Sequence, residues 1–346
     1  MLSVKKEGVL LESSSFGFEK EGVLNPAVIA EGNTVHLFYR AVAKENYSSI
    51  GYCRLDGPLT VVERSDTPIL IPQANYESSG VEDPRIVKID DLYYLTYTAY
   101  DGVNALGALA TSLNLTDFLK HGLITPQIQY SKFRRLVNSK APINVKYSRF
   151  NKQNSLKIKD EKPVYVWSKN VVFFPRRINN KLCFLQRIKP DIQIVYIDRL
   201  DDLTEEYWEN YFLHFDSKII LEPQYPHEIS YIGGGCPPIE TEHGWLLIYH
   251  GVQDTAQGYE YSACVALLHL DNPEKVIARL PYALFSPELD YERVGKVNNV
   301  CFPSGTVVFD DTLYIYYGAA DTTVACASVS LTALLKELSE NTIAHE

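Results

Sequence analysis

The amino-acid sequence predicts an all-β protein, a five-bladed β-propeller with a few short helices. Five times along the chain, a proline precedes an apolar strand, a turn of Asp, Asn or Gly, and an aromatic-rich strand. Short strands follow one another at even spacing with almost no helical periodicity between them, which is typical of propellers. A chain of 346 residues is compatible with one closed all-β domain. We therefore predict a single domain over residues 1–346.

The repeats predict five β-hairpins, each of which starts a larger sheet. Their predicted bounds are Pro26 to Arg40, Pro84 to Thr98, Pro175 to Arg187, Pro237 to His250 and Pro303 to Gly318. A third strand is predicted after each hairpin, at Ser49 to Arg54, Ala105 to Thr111, Gln193 to Ile197, Ser262 to Leu268 and Val324 to Val329. A two-layer sandwich is the alternative architecture, but it does not explain five similar hairpins.

The repeat is interrupted by a basic insertion at about 120–162. This insertion is interpreted either as a solvated or oligomer-contacting segment, or as a loop that reaches over the mouth of a site. Short helices are predicted at 201–215, with Thr204 near the N-cap, and at about 331–340. The sequence leaves open whether the protein is a homo-oligomer.

The composition excludes some classes of binding partner and indicates the cellular compartment. The formal net charge of −10 argues against nucleic acid as a partner. The chain has no apolar signal core and no apolar run of membrane-spanning length, so we predict a cytoplasmic protein without membrane contact. The six cysteines form no Cys-x-x-Cys pair and are predicted to be buried free thiols.

The hairpin pattern predicts where a functional site lies. In a hairpin, the start of the first strand and the end of the second lie at the same edge. In a propeller with these hairpins innermost, such positions converge on one rim of the central cavity. The residues predicted to meet there are Asn25, Arg40, Asp83, Arg187 and His250.

The carboxylates of this rim predict acid chemistry. Asp83 lies at a strand entrance, where a rigid strand holds the side chain while the rim stays open, so it is the candidate general acid. A turn Asp before an edge strand is the alternative. Asp101 and Asp321 follow second strands and are candidates to accept hydrogen bonds from sugar hydroxyls, or else to stabilise turns.

The cations of the rim predict an anion site. Arg40, Lys169, Arg187 and His250 fall on one predicted rim of an acidic protein, and arginine grips phosphate in bidentate fashion. His250 has no second His or Cys at metal-ligand spacing, so no metal site is predicted. No organic cofactor is indicated.

Seven segments together resemble glycoside hydrolase family 130, the β-mannoside phosphorylases and related β-mannosidases. The resemblance covers nearly the whole chain and implies a five-bladed propeller with inverting chemistry at a β-mannosidic bond. The segments are Asn25-Pro26, Phe38-Tyr39-Arg40, Gly80 to Arg85, Tyr97 to Gly102, Phe173-Phe174-Pro175, Gly244 to Gly251 and Tyr317 to Asp321.

The resemblance also implies roles for individual residues. Asp83 would be the proton donor, acting partly through a hydroxyl of the mannose. Inorganic phosphate would be the co-substrate, attacking the anomeric carbon to give α-mannose 1-phosphate. The positions that match mannose contacts are Asn25, Arg40 and Asp321, and those that match phosphate contacts are Lys169, Arg187, His250 and Tyr261.

One departure from the family pattern leaves the reaction open. Tyr231 stands where phosphorylases typically carry Lys, and loss of a charge-assisted hydrogen bond weakens binding by about 1.5–3 kcal/mol. Attack by water would then be favoured, with Glu228 or Glu260 as the general base; both are otherwise exposed strand or loop acids. The hypotheses are a phosphorylase of short β-mannosides, a β-mannosidase, a non-catalytic carbohydrate-binding propeller, and a five-bladed glycosidase of the arabinanase or fructosidase kind. The linkage and the acceptor sugar stay open.

Overall fold

The computed structural model describes residues 2–140, 142–155 and 163–343. Antiparallel strands dominate this part of the chain, and the all-β prediction is confirmed. The first nine strands are β1 (Lys5–Leu11), β2 (Gly22–Glu31), β3 (Thr34–Val42), β4 (Ser48–Asp56), β5 (Thr60–Arg64), β6 (Gly80–Ile89), β7 (Leu92–Tyr100), β8 (Ala105–Ser112) and β9 (Leu119–Leu123).

The second half of the chain continues the same alternation of short strands and turns. Its strands are β10 (Lys169–Phe173), β11 (Leu182–Ile188), β12 (Asp191–Ile197), β13 (Ile219–Leu221), β14 (Tyr231–Gly234), β15 (Ile239–Thr241), β16 (Gly244–Thr255), β17 (Gly258–Leu268), β18 (Val276–Arg279), β19 (Cys301–Phe309), β20 (Thr312–Ala319) and β21 (Thr323–Ser330).

Strand pairing groups these strands into five antiparallel units. The units are β2-β3-β4-β5, β6-β7-β8-β9, β10-β11-β12-β13, β14/β15-β16-β17-β18 and β19-β20-β21-β1. A single parallel bridge between Ser48 and Gly80 joins the first two units into one sheet of eight strands. In the last unit, β1 pairs with β21, so a strand from the beginning of the chain completes a sheet at its end.

Five helices occur in the described residues: α1 (Tyr130–Val137), α2 (Val145–Ser155), α3 (Glu205–Leu213), α4 (Asp290–Arg293) and α5 (Leu331–Ser339). Thr204 is the N-cap of α3, and its hydroxyl accepts a hydrogen bond from the backbone N–H of Tyr207 at 3.2 Å. Threonine is favoured at this position because its side-chain oxygen can pair with a free N–H of the first helical turn. No helix in residues 2–140, 142–155 or 163–343 is long and apolar enough to cross a membrane.

The basic insertion contains β9, α1 and α2. Several of its apolar side chains are buried, and Phe133 of α1 packs edge-on against Phe212 of α3, with ring centroids 5.3 Å apart. Residues 156–162, which carry three of the basic side chains of the insertion, lie outside the described part. The described part of the insertion is therefore joined to the body of the protein by apolar packing.

Two of the five hairpin starts were predicted wrongly. Pro26, Pro84 and Pro303 lie within the first strands of their units, but Pro175 follows β10 and Pro237 lies between β14 and β15. Proline has no N–H for a strand ladder, so it fits at a bulge or beyond a strand end as well as at an entrance. The third and fourth hairpins therefore begin earlier than predicted, with β10 and β14.

The first strands of the units meet in the middle of the molecule. β2 contacts β6 and β19, β6 contacts β10, and β10 contacts β14. Apolar side chains fill the spaces between successive units, and all six cysteines are buried free thiols, which confirms that prediction. Residues on the first strands and at the ends of the second strands are thereby brought together.

Candidate active site

Backbone bulges aim the site residues. The ladder between β2 and β3 shifts between Leu24 and Ala27, and the ladder between β6 and β7 shifts between Glu82 and Arg85. Asn25 and Asp83 lie in these bulges with φ of 49° and 50°, a left-handed conformation that Asn and Asp tolerate better than most residues. A bulge re-aims the side chain it carries, and both side chains point into one cavity.

The cavity has a volume of about 200 Å³ and is lined by residues from widely separated parts of the sequence. Seven of the predicted site residues line it: Asn25, Arg40, Asp83, Lys169, Arg187, Tyr261 and Asp321. The lining also includes residues that the sequence reasoning did not assign to the site: Trp167, Asn170, Lys189, Tyr231, Val297, Val300 and Phe302.

Asp83 is held as a carboxylate in the free protein. Its Oδ1 accepts a hydrogen bond from Asn25 Nδ2 at 2.7 Å, and its oxygens lie 3.6 Å from Arg40 Nη1 and 3.6 Å from Lys169 Nζ. Burial by itself would raise the pKa of Asp83, but the charges of Lys169 and Arg40 and the Asn25 hydrogen bond hold that pKa well below its usual range.

Glu82 is a site residue that the sequence reasoning did not select. Its two oxygens accept from Arg40 Nη2 at 2.8 Å and from Lys169 Nζ at 3.4 Å, so it fixes both cations that face Asp83. Arg40 Nε also donates to Ser48 Oγ at 2.9 Å. The adjacent acids Glu82 and Asp83 are visible in the sequence, but only Asp83 was selected there as a site residue.

Asp321 differs from Asp83 in its electrostatics. It lies just after β20 with φ of 52° and lines the same cavity. Loss of hydration raises its pKa to about 6, the charge of Arg40 opposes that rise, and the negative charge of Asp83 adds to it. The free site therefore holds one carboxylate that is ionised at all ordinary pH values and one that titrates near neutrality.

Arg187 and His250 form the other end of the site. Arg187 Nη1 donates to His250 Nε2 at 3.3 Å. Burial and the Arg187 charge hold the pKa of His250 well below its usual value, so the imidazole is neutral and carries its proton on Nδ1. His250 is fully buried and lies behind Arg187, against the ring of Phe302 at 4.5 Å between centroids, so it supports the cavity wall without lining it.

Several polar atoms near the cavity have no hydrogen-bond partner among the described residues. Buried polar atoms are normally paired, so these atoms have hydrogen-bonding capacity left for a bound molecule. The atoms concerned are Asn25 Oδ1, Asn170 Oδ1, Arg187 Nε and His250 Nδ1.

Similarity to known proteins identifies the family of this chain. The model of glycoside hydrolase family 130, described as β-1,4-mannooligosaccharide phosphorylase, matches residues 13–340. The chain belongs to glycoside hydrolase family 130. The family predicted from the sequence motifs is therefore confirmed.

Two relatives match this family 130 member over most of both chains. The 1,2-β-oligomannan phosphorylase of Thermoanaerobacter sp. (strain X514) is 34% identical over 337 residues, covering 93% of this chain and 95% of the relative. The β-1,2-mannobiose phosphorylase of the same organism is 37% identical over 326 residues, covering 90% and 91%. The structure of β-1,2-mannobiose phosphorylase from Listeria innocua in complex with β-1,2-mannobiose shares the fold, with a TM-score of 0.72 at 21% identity, covering 98% of this chain and 100% of that one.

The structure places Asp101 outside the cavity. Its Oδ1 accepts hydrogen bonds from the backbone N–H groups of Val103, at 2.8 Å, and Asn104, at 2.6 Å. This is the turn-stabilising arrangement that was the alternative for Asp101, since a short carboxylate readily bonds the backbone two and three residues further on. The sugar-binding expectation for Asp101 is not supported by this position.

Glu260 is also outside the cavity lining. It is half-buried in the hairpin of β16 and β17, where its Oε1 accepts a hydrogen bond from Gln253 Nε2 at 2.9 Å. Its neighbour Tyr261 does line the cavity, and its hydroxyl lies 2.6 Å from that of Tyr231. Neighbouring strand residues point to opposite faces, so the two side chains separate.

Glu228 belongs to a repeated framework motif and not to the cavity. Its Oε2 accepts from Arg279 Nη2 at 2.7 Å and from the backbone N–H of Gln224 at 3.1 Å, while Tyr249 donates to Oε1. The same group of a buried Glu, a strand Tyr and a cation recurs as Glu19 with Tyr39 and Arg64, Glu77 with Tyr97 and Lys120, and Glu292 with Tyr317 and Lys6.

The framework motif also bears on metal binding. His227, Glu228 and Cys264 offer ligand atoms within 4.8 Å of one another, the single such group in the described residues. Both Glu228 oxygens already accept hydrogen bonds, one of them from the guanidinium of Arg279, which would repel a metal ion. The arrangement is that of a structural ion pair.

Proposed function

We propose that this chain is an inverting phosphorylase that cleaves β-mannosidic bonds of short mannosides with inorganic phosphate, giving α-mannose 1-phosphate. One observation carries the proposal: Asp83 shares a cavity with the cations of Lys169 and Arg187. A proton donor and an anion site must lie within one sugar ring of each other for this reaction. The two relatives that match over at least 90% of this chain are both phosphorylases. No organic cofactor enters the proposed reaction.

The proposed step is a single displacement. A phosphate oxygen forms a bond to the anomeric carbon as the bond from that carbon to the glycosidic oxygen breaks, and the departing oxygen receives a proton that originates on Asp83. Attack from the opposite face inverts the β configuration to α. The family resemblance implies that a mannose hydroxyl relays the proton.

The ionised state of Asp83 in the free protein sets a condition on this step. Lys169 lies 3.6 Å from the Asp83 carboxylate and lines the same cavity as Arg187. A bound phosphate anion would offset the positive charge that holds the pKa of Asp83 low. Binding of phosphate is therefore expected to raise that pKa and to let Asp83 take up the proton it must donate.

The mannose is proposed to contact Asn25, Arg40 and Asp321. Asn25 has an unpaired Oδ1, and Arg40 and Asp321 face the cavity from neighbouring units. We propose the β-1,2 linkage, because both relatives matched over most of the chain are named for β-1,2-linked mannosides.

We also propose that the five units are the blades of a single five-bladed propeller that forms one catalytic domain. The proposal is supported by the pairing of strands within each unit, by contacts among first strands, and by β1, which completes the last unit. A cavity lined by residues of several units suits the centre of such a ring.

A β-mannosidase is the second candidate function, favoured by Tyr231 in place of a lysine. Hydrolysis needs a base to activate water. Of the two bases considered from the sequence, Glu228 is held by Arg279 and Tyr249, and Glu260 bonds to Gln253 away from the cavity. These positions support phosphorolysis over hydrolysis.

The test is incubation with β-1,2-mannobiose, with and without inorganic phosphate, followed by assay of mannose 1-phosphate and free mannose. We expect mannose 1-phosphate only when phosphate is present. Free mannose at a rate independent of phosphate would overturn the proposal in favour of the mannosidase. The same assay with β-1,4-mannobiose tests the linkage, for which we expect the lower rate.

A further inference from the structure

Tyr231 leaves the proposed anion site without a cation that other phosphorylases are expected to carry, yet a cation lies on its ring. Lys189 Nζ is 3.5 Å from the centroid of the Tyr231 ring. Lys189 and Tyr231 both line the cavity that contains Asp83 and Arg187. We infer that Lys189 supplies the phosphate-binding charge that position 231 lacks, an inference that rests on the proposed function.

Lys189 lies next to the end of the strand that carries Arg187. β11 ends at Ile188, and Lys189 is the first residue of the turn that follows it. Arg187 and Lys189 both line the cavity. The β11 end also pairs with Lys169 of β10, which lies directly opposite Arg187. Three cations therefore reach the cavity from one hairpin and its turn.

The turn that carries Lys189 is fixed against the strand that carries Tyr231. The backbone N–H of Ile232 donates to the carbonyl oxygen of Pro190 at 2.9 Å. This bond ties the turn between β11 and β12 to β14, one residue from Tyr231. The approach of the ammonium to the ring thus follows from backbone hydrogen bonding as well as from side-chain attraction.

Helix α2 of the basic insertion closes the other side. The Phe150 ring lies 5.3 Å from Lys189 Nζ and meets the Tyr231 ring edge-on at 5.5 Å between centroids. Tyr147, one turn earlier, donates to Asp191 Oδ2 at 2.5 Å. The helix therefore contacts both ends of the turn, at Lys189 and at Asp191. The ammonium of Lys189 lies between two rings, those of Phe150 and Tyr231.

Aromatic contacts suit a lysine that must bind an anion. The face of an aromatic ring attracts an ammonium through its quadrupole and carries no net charge of its own, so these ring contacts do not neutralise the lysine. A lysine on a turn can thus replace one on a strand at the same place in the site. The alternative is that Lys189 serves only to pack the two rings.

The test measures KM for phosphate and KM for β-1,2-mannobiose separately in Lys189→Met, which keeps the length of the side chain and its contacts with both rings. We expect KM for phosphate to rise about 10- to 100-fold, as for loss of one charge-assisted hydrogen bond, with KM for mannobiose changed less than about twofold. Lys189→Arg is expected to keep most of the phosphate affinity.

A rescue variant separates charge from packing. Adding Tyr231→Lys to Lys189→Met returns a cation to the site and is expected to recover at least about tenfold of the lost phosphate affinity. An unchanged KM for phosphate in Lys189→Met overturns the inference, as does an equal rise in both KM values with a lower melting temperature. If the unaltered enzyme makes no mannose 1-phosphate at any phosphate concentration, the proposed function itself fails.

Discussion

Buried carboxylates occur in two settings in this protein, and the contrast separates framework carboxylates from those proposed to act on the substrate. The framework carboxylates Glu19, Glu77, Glu228 and Glu292 are fully buried, and each bonds a tyrosine and a cation. The cavity carboxylates face cations as well, but they border a space with unpaired polar atoms. Burial and an ion pair are common to both settings, so the position beside the cavity is what separates them.

The third unit sharpens the contrast. In its described residues, Gln186 precedes Arg187 at the place where the other units carry the framework tyrosine, and it bonds Ser168 and Tyr211. This unit supplies Lys169, Arg187 and Lys189 to the cavity. Because Gln186 bonds neutral partners, no framework glutamate is held at this place in the described residues, and the proposed phosphate meets no negative charge from one.

The largest effect is expected from Asp83→Asn. Loss of a general acid lowers turnover by about 10²- to 10⁴-fold, while Asn can still accept a hydrogen bond from Asn25 through its amide oxygen and so should preserve the fold. Initial rates of mannose 1-phosphate formation measure the loss. A variant within tenfold of the unaltered enzyme would remove Asp83 from the proton path.

Substitution of a framework carboxylate is expected to lower stability and leave turnover unchanged. Glu228→Gln leaves Arg279 buried without its carboxylate, which costs about 3–5 kcal/mol in the free energy of unfolding. Urea unfolding measures the cost, and the turnover of the remaining folded enzyme should be unchanged. Glu260→Gln is the matched control, with a change of less than about 0.5 kcal/mol. Lost turnover without lost stability in Glu228→Gln would restore Glu228 as a candidate base.

Arg187→Met tests the anion end of the cavity. Removal of a buried guanidinium from the proposed phosphate site is expected to cost about 1.5–3 kcal/mol of phosphate binding, seen as a higher KM for phosphate. Arg176→Met is the control, because Arg176 pairs with Glu240 at the surface. Equal effects of the two substitutions would show that Arg187 contributes only general positive charge.

The smallest expected effect is a pH dependence from Asp321. Its pKa of about 6 is above the ordinary value, so the carboxylate proposed to accept hydrogen bonds from sugar hydroxyls is lost as pH falls through 6. The kcat/KM for mannobiose reports the free enzyme and should fall about tenfold per pH unit below that value. In Asp321→Asn the fall should be absent. If kcat/KM of this variant still falls below pH 6, the fall is caused by the titration of a different ionisable group.

Much of the cavity could be predicted from the sequence because hairpin edges place distant residues together. The alternation of strand residues and the hairpin repeat were sufficient to predict that Asn25, Arg40 and Asp83 lie together. Glu228 was misjudged although a signal existed: an aromatic or His residue followed by Glu recurs as Phe18-Glu19, Tyr76-Glu77, His227-Glu228 and Tyr291-Glu292.

Other features had no signal in the sequence. Lys189 reaches the cavity because a backbone bond to Pro190 docks one turn on another unit, and no motif reports such a contact. Pro175 and Pro237 matched the repeat by their spacing alone, and spacing does not report which residues pair in a strand. The bulges at Asn25 and Asp83, which shift the register of their ladders, are likewise not visible in the composition.

The pairing of β1 with β21 has a consequence for how the protein is made. Residues 5–11 leave the ribosome before their partner strand β21 and before Glu292, to which Lys6 binds at 2.5 Å. Until β21 is made, β1 is a strand without its partner, and unpaired strand edges recruit strands of other molecules. When β21 emerges, a strand that already exists covers its edge, which limits aggregation of the newborn chain.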